Sequence, residues 1–305
     1  MASILQFIAN GLVFSSIIVL GSIGLSLVYS IADFANFAHG DTMTIGAYGA
    51  LVTFGLVGGV GGTFLGLPLG FYIALVVGMG LAAVVAVITH VFVYRPLSTT
   101  SIGLLITSIG VAFVYRAGLQ AIFGTDFRNY DVPRSGPLPF IQDSLGIAVT
   151  ARGLAIVVLA AILVAGTHAL LQYTTLGRKM RAMADNPDLA RVSGIRTKRV
   201  ILATWVIGSA LAAAGGVFLG LFSQIDPRIG FDLLLIIFAA VILGGIGSVY
   251  GAMLGGFLIG MIHELTPLLK DVGIPIGIQY APAVAFVIMV VVLLARPRGI
   301  AGELT

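Results

Sequence analysis

Cysteine is absent from the 305 residues, which excludes disulfides and thiolate metal sites and leaves the redox compartment unmarked. Charge is almost as scarce. Asp, Glu, Lys and Arg make up 9% of the chain, where soluble domains carry roughly 25%, too few to clothe a globule of this size in a wetted surface. No Walker-type phosphate loop occurs, so the chain does not hydrolyse ATP itself. His39, His90, His168 and His263 stand at no metal-site spacing. His263-Glu264 lacks a second histidine four residues on, which excludes the metalloprotease motif. No Ser-His-Asp set or pair of catalytic carboxylates stands out, so an intramembrane enzyme lacks its reactive groups. No metal or cofactor is expected on this chain.

What is present is apolar. Hydrophobic residues are 59% of the chain and the mean hydropathy is +1.12. That is the composition of a polytopic membrane protein, whose helices need about 20 apolar residues each to cross. The expected fold is all-α: one transmembrane bundle over residues 1–305, of about eight spans, with one or more helices broken or re-entrant. Residues 4–32 carry no charge. Neither do 42–94, which Gly58-Gly59-Val60-Gly61-Gly62 and Pro68 divide in two. Further spans are read at 102–123 (with Arg116 inside it), 153–173, 201–222, 233–262 and, starting at Ile276, 276–295. Met1 to Leu5 contains no basic region, so 4–32 reads as a first span and not as a removed signal.

Seven of the 16 basic residues crowd into positions 178–199: Arg178, Lys179, Arg181, Arg191, Arg196, Lys198 and Arg199. In a soluble protein a net charge of +4 would suggest nucleic acid; among apolar spans the positive-inside rule accounts for it better. That rule places the loop at 174–199 in the cytoplasm, together with Arg95 and the C-terminal Arg296 and Arg298. It leaves 124–150 outside, where Asp126, Asp131 and Asp143 stand against Arg128 and Arg134. Positions 199 and 296 then need an even number of crossings between them, and three apolar runs are odd. The run 233–262 is therefore expected to break within 244–251, as two half-helices or two short tilted ones. Broken backbone at membrane depth is tolerated where it is buried in protein or lines a cavity, and it often marks a transport site. The same glycines also serve close helix packing.

A second polar stretch, 33–41, holds Asp33, Asn36, His39 and Asp41 between two apolar segments. Polar groups at depth are costly and tend to be functional, which makes Asn36, His39 and Gly40 candidates for a pathway, with Gly244, Gly245, Gly247 and Ser248. The alternative is a helix junction in which Asn36 and His39 satisfy loop backbone. In the basic loop, Asn186-Pro187-Asp188 has the grammar of a helix start: a cap, a proline at the first helical position, and an acid against the positive dipole end. Gly194 supplies the stop. A turn or two of helix, 176–184, precedes it.

These stretches resemble the permease subunits of ATP-binding-cassette importers for branched-chain amino acids, in a group that also serves urea, amides and some sugars. The likeness rests on Asn36-Phe37-Ala38-His39-Gly40 with Gly46-Ala47-Tyr48, and on Tyr94-Arg95-Pro96-Leu97. It continues in the loop 177–194, in Gly244-Gly245-Ile246-Gly247-Ser248 with Gly251 and Gly255-Gly256, and in Arg296-Pro297-Arg298-Gly299. The resemblance implies an inner-membrane subunit that pairs with a second, homologous permease. Two ATPase subunits on the cytoplasmic side would carry the ATP and magnesium, and an extracytoplasmic binding protein would deliver substrate. It also implies contact with the ATPases at Ala184, Asn186, Ala190 and Gly194, in the loop that holds Arg181 and Asp188; the Glu-Ala-Ala form of other importers is absent. The expected solute is small and polar or zwitterionic: a branched-chain or related amino acid, with urea, amides or another small solute as the alternative. A stand-alone secondary transporter would need coupling-ion ligands such as paired intramembrane carboxylates, of which the spans hold almost none.

Overall fold

The structure is a computed structural model describing residues 2–58, 60–97, 99–133, 136–272 and 277–301. Gly59, Arg134 and Ile276, named above, lie outside the described residues. Among these residues the chain is a helical bundle, with one two-residue-per-strand hairpin, β1 (Thr63–Phe64) against β2 (Leu67–Pro68). Seven helices are long and apolar enough to cross a membrane. They are α1 (Ala2–Ala32), α3 (Leu69–Thr89, prolonged by a π-helical turn to Tyr94), α4 (Ser101–Phe123), α6 (Ala151–Tyr173), α9 (Thr197–Phe222), α11 (Val249–Leu265) and α12 (Ala281–Ala295). Two further legs, α2 (Ala38–Val57) and the shorter α10 (Ile229–Gly244), complete the bundle; α5 (Pro139–Leu145) lies in the 124–150 segment, and α7 (Thr175–Asp185) and α8 (Pro187–Val192) in the basic loop.

Helix α1 is the axis. It is apolar on every side and buried from Phe14 to Val28 apart from Ser16 and Val19, as befits a helix without a polar face. It packs against α9, α11, α10 and α6. The other central helix, α9, is buried continuously over Leu211–Leu221, where its alanines and glycines let neighbouring backbones approach. Helices α4 and α12 form the rim, largely exposed, as lipid-facing helices are.

The legs share two ends. At one, Ile300 N–H donates to the Leu243 carbonyl (2.9 Å), Arg181 reaches Gln172, and Gln172 reaches Tyr250. This basic end gathers the C-terminus of α1, the π turn, α7, α8, the α10–α11 turn and the residues after α12. At the other end Arg128 and Ile225 exchange backbone hydrogen bonds (2.8 Å each), and Ala148 N–H donates to Gln6 (2.7 Å). The 233–262 run is two antiparallel legs: Gly244 lies against Gly251 and Gly255 against the Ala240 carbonyl. The break falls in the glycine run, but at the end of the bundle and not within its depth. Gly245 and Gly247 take the positive φ angles of the turn (108° and 83°), and Ser248 caps α11 by accepting from Gly251 N–H (3.0 Å). Four legs, α9 to α12, thus separate Arg199 from Arg296, the even number that the charge distribution requires.

Candidate coupling surface and interior polar cluster

The basic loop is built of two capped helices. Thr174 ends α6 and opens α7 by accepting from Gly177 N–H (3.0 Å). Helix α7 is amphipathic: Gly177, Met180 and Met183 face the bundle, while Arg178, Lys179 and Arg181 face out. Pro187 stops it, because the residue before a proline is driven to extended geometry; Asn186 sits at φ −155°, ψ 102°. The same Asn186 caps α8, its Oδ1 accepting from Leu189 N–H (2.9 Å). Helix α8 closes in a Schellman motif: Ile195 N–H donates to the Ala190 carbonyl (3.0 Å), Gly194 N–H to that of Arg191 (3.1 Å), and Gly194 takes φ +82°.

Six residues of helix held at both ends make a rigid projection. Ala190 turns inward and is buried, so it anchors the projection and does not present itself to a partner. Asn186, Asp188 and Gly194 are exposed. Ala184 and Arg181 lie beside a cleft of about 210 Å³ whose opposite wall is Gly247, Ser248 and Tyr250. The structure therefore brings the loop and the α10–α11 glycine turn together at one end. A hydrogen-bond chain ties them: Arg181 Nη1 to Gln172 Oε1 (3.0 Å), Gln172 Nε2 to Tyr250 OH (2.8 Å), and Tyr250 OH with His168 Nδ1 (3.0 Å).

Asn36, His39 and Gly40 lie elsewhere. After α1 the chain doubles back along it, and His39 Nε2 meets the Gly21 carbonyl (2.9 Å). Gly21 precedes the end of α1 by eleven residues, so α2 begins about 16 Å inside that end. The 33–41 stretch thus runs from exposed Asp33 at the end of α1 inward to buried His39, Gly40 and Asp41. Asn36 Oδ1 accepts from Ala38 N–H (3.1 Å), and Phe37 N–H donates to Ser108 Oγ (2.9 Å) on α4. Asn36 thus makes the contact of a junction residue, while His39 bonds the backbone of α1 and not that of the loop.

At this depth the first turns of α2 and α10 meet. Gly40 and Gly230 touch backbone to backbone: a Cβ on Gly230 would stand 1.9 Å from the Gly40 carbonyl oxygen. Gly230 N–H donates to Thr44 Oγ1 (3.1 Å). Beside this contact Arg116 of α4 grips Asp41 with two hydrogen bonds, Nε to Oδ1 and Nη2 to Oδ2, both 3.1 Å. Its guanidinium also lies 4.0 Å from the centre of the Phe231 ring. Asp232, in the first turn of α10, acts electrostatically on Asp41 and feels Arg116. Two acids thus complement two helix N-termini, Asp41 paired with Arg116 and Asp232 with Arg228 (3.8 Å). Sequence reading missed this cluster, although Arg116 was visible as a lone charge in an apolar run and Asp41 as the last group of the polar stretch 33–41; charged groups at depth seek one another.

Residues 7–293 match the family described as branched-chain amino acid transport system / permease component. The high-affinity branched-chain amino acid transport system permease protein BraD of Pseudomonas aeruginosa is 33% identical over 98% of this chain and 96% of its own length. LivH of Escherichia coli, with the same description, is 30% identical over 98% and 96%. The probable branched-chain amino acid transport permease protein LivH of Methanocaldococcus jannaschii is 28% identical over 97% and 92%. No solved structure matches the chain. A multi-pass bundle, a capped basic projection at one end and likeness along the whole length agree, and the chain belongs to the branched-chain amino acid transport system permease family.

Proposed function

We propose that the chain is the membrane conduit of an ATP-binding-cassette importer that carries branched-chain or closely related amino acids inward. The observation that carries this reading is the similarity to BraD, which extends over 98% of the chain. In this reading the basic end faces the cytoplasm, as the seven cations of 178–199 favour, and the 124–150 segment faces outward. A second permease lies alongside, two ATPase subunits hold ATP and magnesium beneath, and a binding protein delivers the solute from outside. Helices α7 and α8, with Arg181, Ala184, Asn186, Asp188 and Gly194, receive the ATPases' movement, and the cleft beside Ser248 passes it to α11. Such coupling works only where the two states differ in contact free energy with the ATPases.

The test is reconstitution in liposomes with the partner subunits and binding protein. Leucine uptake is expected to require ATP and the binding protein together. Uptake by this chain alone, driven by an ion gradient, would show a secondary transporter instead. Urea or amide uptake in place of leucine would move the chain to the alternative substrate class.

A further inference from the structure

Arg228 and Asp232 form an exposed ion pair deep in the bundle. They flank the start of α10, which runs from mid-depth to the basic end. Asp232 stands twelve residues before Gly244, where α10 ends, about 18 Å of helix. Gly230, between the pair, touches Gly40, and α2 begins about 16 Å inside the end of α1. Both distances place the pair near the middle of a hydrocarbon core about 30 Å thick. Yet the Arg228 side chain is 60% exposed and that of Asp232 61%, against 12% and 0% for Arg116 and Asp41.

Bare charges at that depth are costly against lipid, and where they occur they face the bundle interior or a wet pathway. The contact between the two is loose, 3.8 Å, and an exposed pair of this kind opens at little cost. Arg228 stands at the positive, N-terminal end of α10, where an anion is favoured. Asp226, whose Oδ1 accepts from Arg228 N–H (2.7 Å), acts electrostatically on Asp232 and adds to the negative side. One turn further along the same face, Leu235 is 53% exposed. The face thus offers, in order, a cation, an anion and an apolar side chain.

We propose that this face is a station on the translocation pathway for the zwitterion of an apolar α-amino acid. The carboxylate binds Arg228 and the N-terminus of α10, the ammonium replaces Arg228 at Asp232, and the aliphatic side chain lies on Leu235. The inference rests on the importer reading above and deepens it. Both charges of the solute are used, so urea and amides, which carry neither, are poor occupants. Every group that binds is exposed, so the hold is weak and the solute leaves as readily as it enters. The competing occupant is the second permease, whose own charges would cover the pair. A contact between permeases would seal Leu235 from water, while a station keeps it wet.

The chain has no cysteine, so Leu235→Cys introduces a sole thiol. The full importer, with cysteine-free partner subunits, is reconstituted in liposomes and treated with a hydrophilic methanethiosulfonate, with leucine on both faces of the bilayer and no binding protein. The thiol is expected to react, and leucine to suppress the reaction. Adding Arg228→Gln or Asp232→Asn to the same chain is expected to raise the leucine concentration needed for that protection about tenfold, with the thiol still reactive; a pair that only held the fold would not move it. A thiol that never reacts overturns the proposal and assigns the face to lipid or to the second permease. Urea protecting as well as leucine overturns the zwitterion assignment. A reactive thiol that leucine leaves unprotected, or protection unchanged by both charge variants, overturns the station, while ATP-driven leucine uptake by the wild-type importer keeps the importer reading standing. Absence of that uptake overturns the importer reading and the station with it.

Discussion

Replacing Arg116 by methionine leaves Asp41 without its partner, and the structure sets the size of the loss. Asp41 is 0% exposed and the Arg116 side chain 12%, with two hydrogen bonds of 3.1 Å between them. Breaking a buried pair by removing one member costs about 3–5 kcal/mol, because the surviving charge stays buried and uncompensated. A stranded carboxylate escapes by binding a proton, and drawing one at pH 7 onto an ordinary carboxylate costs about 4 kcal/mol, so the two routes give the same scale. Replacing both members by apolar groups of similar volume is often near neutral. Arg116→Met is therefore expected to lose about 3–5 kcal/mol, and Asp41→Leu/Arg116→Met to recover more than half of it. Asp41→Leu alone should lose less than Arg116→Met, since Arg116 retains the Phe231 ring and some access to solvent. The assay is a double-mutant cycle on the purified protein in mild detergent, unfolded by graded denaturing detergent. Effects that add to within about 0.5 kcal/mol, the range of independent sites, would refute the pair as an energetic unit.

Three further outcomes are expected. Gly230→Ala places a Cβ 1.9 Å from the Gly40 carbonyl oxygen, a backbone atom that cannot step aside; it should abolish monodisperse protein on gel filtration, while Gly55→Ala, with nothing within 4 Å, should behave as wild type. Asn186→Ala removes the cap of α8 at a cost of about 1 kcal/mol; amide exchange over 187–192 should quicken about fivefold with the bundle unchanged, and an unchanged rate would deny the cap its role. Trp205, the sole tryptophan and 3% exposed, stacks against both His90 (5.3 Å) and Tyr94 (5.4 Å); its emission should be blue-shifted from free indole and resist acrylamide, and ready quenching would contradict its burial.

What the sequence reveals here divides along physical lines. Charge-free runs mark the long helices because lipid demands them, and Pro187 with Gly194 marks α8 because those residues act on the local backbone alone. The parity of the basic residues requires a break in 233–262, and the glycine run of 244–251 marks where it falls, though not that it lies at the end of the bundle. Three things are not local and were not legible. The starting depth of α2 depends on how 33–37 folds back along α1, which no hydropathy window registers. The partnership of Asp41 with Arg116 joins residues 75 positions apart. The inward turn of Ala190 removes that residue from the surface, where Ala184 and Gly194 remain, and it is set by packing against the bundle and not by the sequence of α8.

The depth at which α2 begins bears on how the protein is made. Asp41 enters the membrane during synthesis well before Arg116 exists, and Gly230, whose amide completes the cluster through Thr44, lies 186 positions beyond that threonine. An aspartate opposes insertion by roughly 2.5–3.5 kcal/mol at a helix centre and by less in the first turn, where Asp41 stands; α2 is also not among the seven helices apolar enough to cross. The nascent chain is therefore expected to hold α2 in the insertion machinery, or at the interface, until α4 arrives with its arginine. Glycosylation tags on chains truncated before and after α4 would reveal that delay as a change in the side on which the α2–α3 hairpin is modified. The ion pair is then a step in assembly: a chain that keeps Asp41 without Arg116 should complete the α2–α3 hairpin late, and the paired replacement should insert it without that delay.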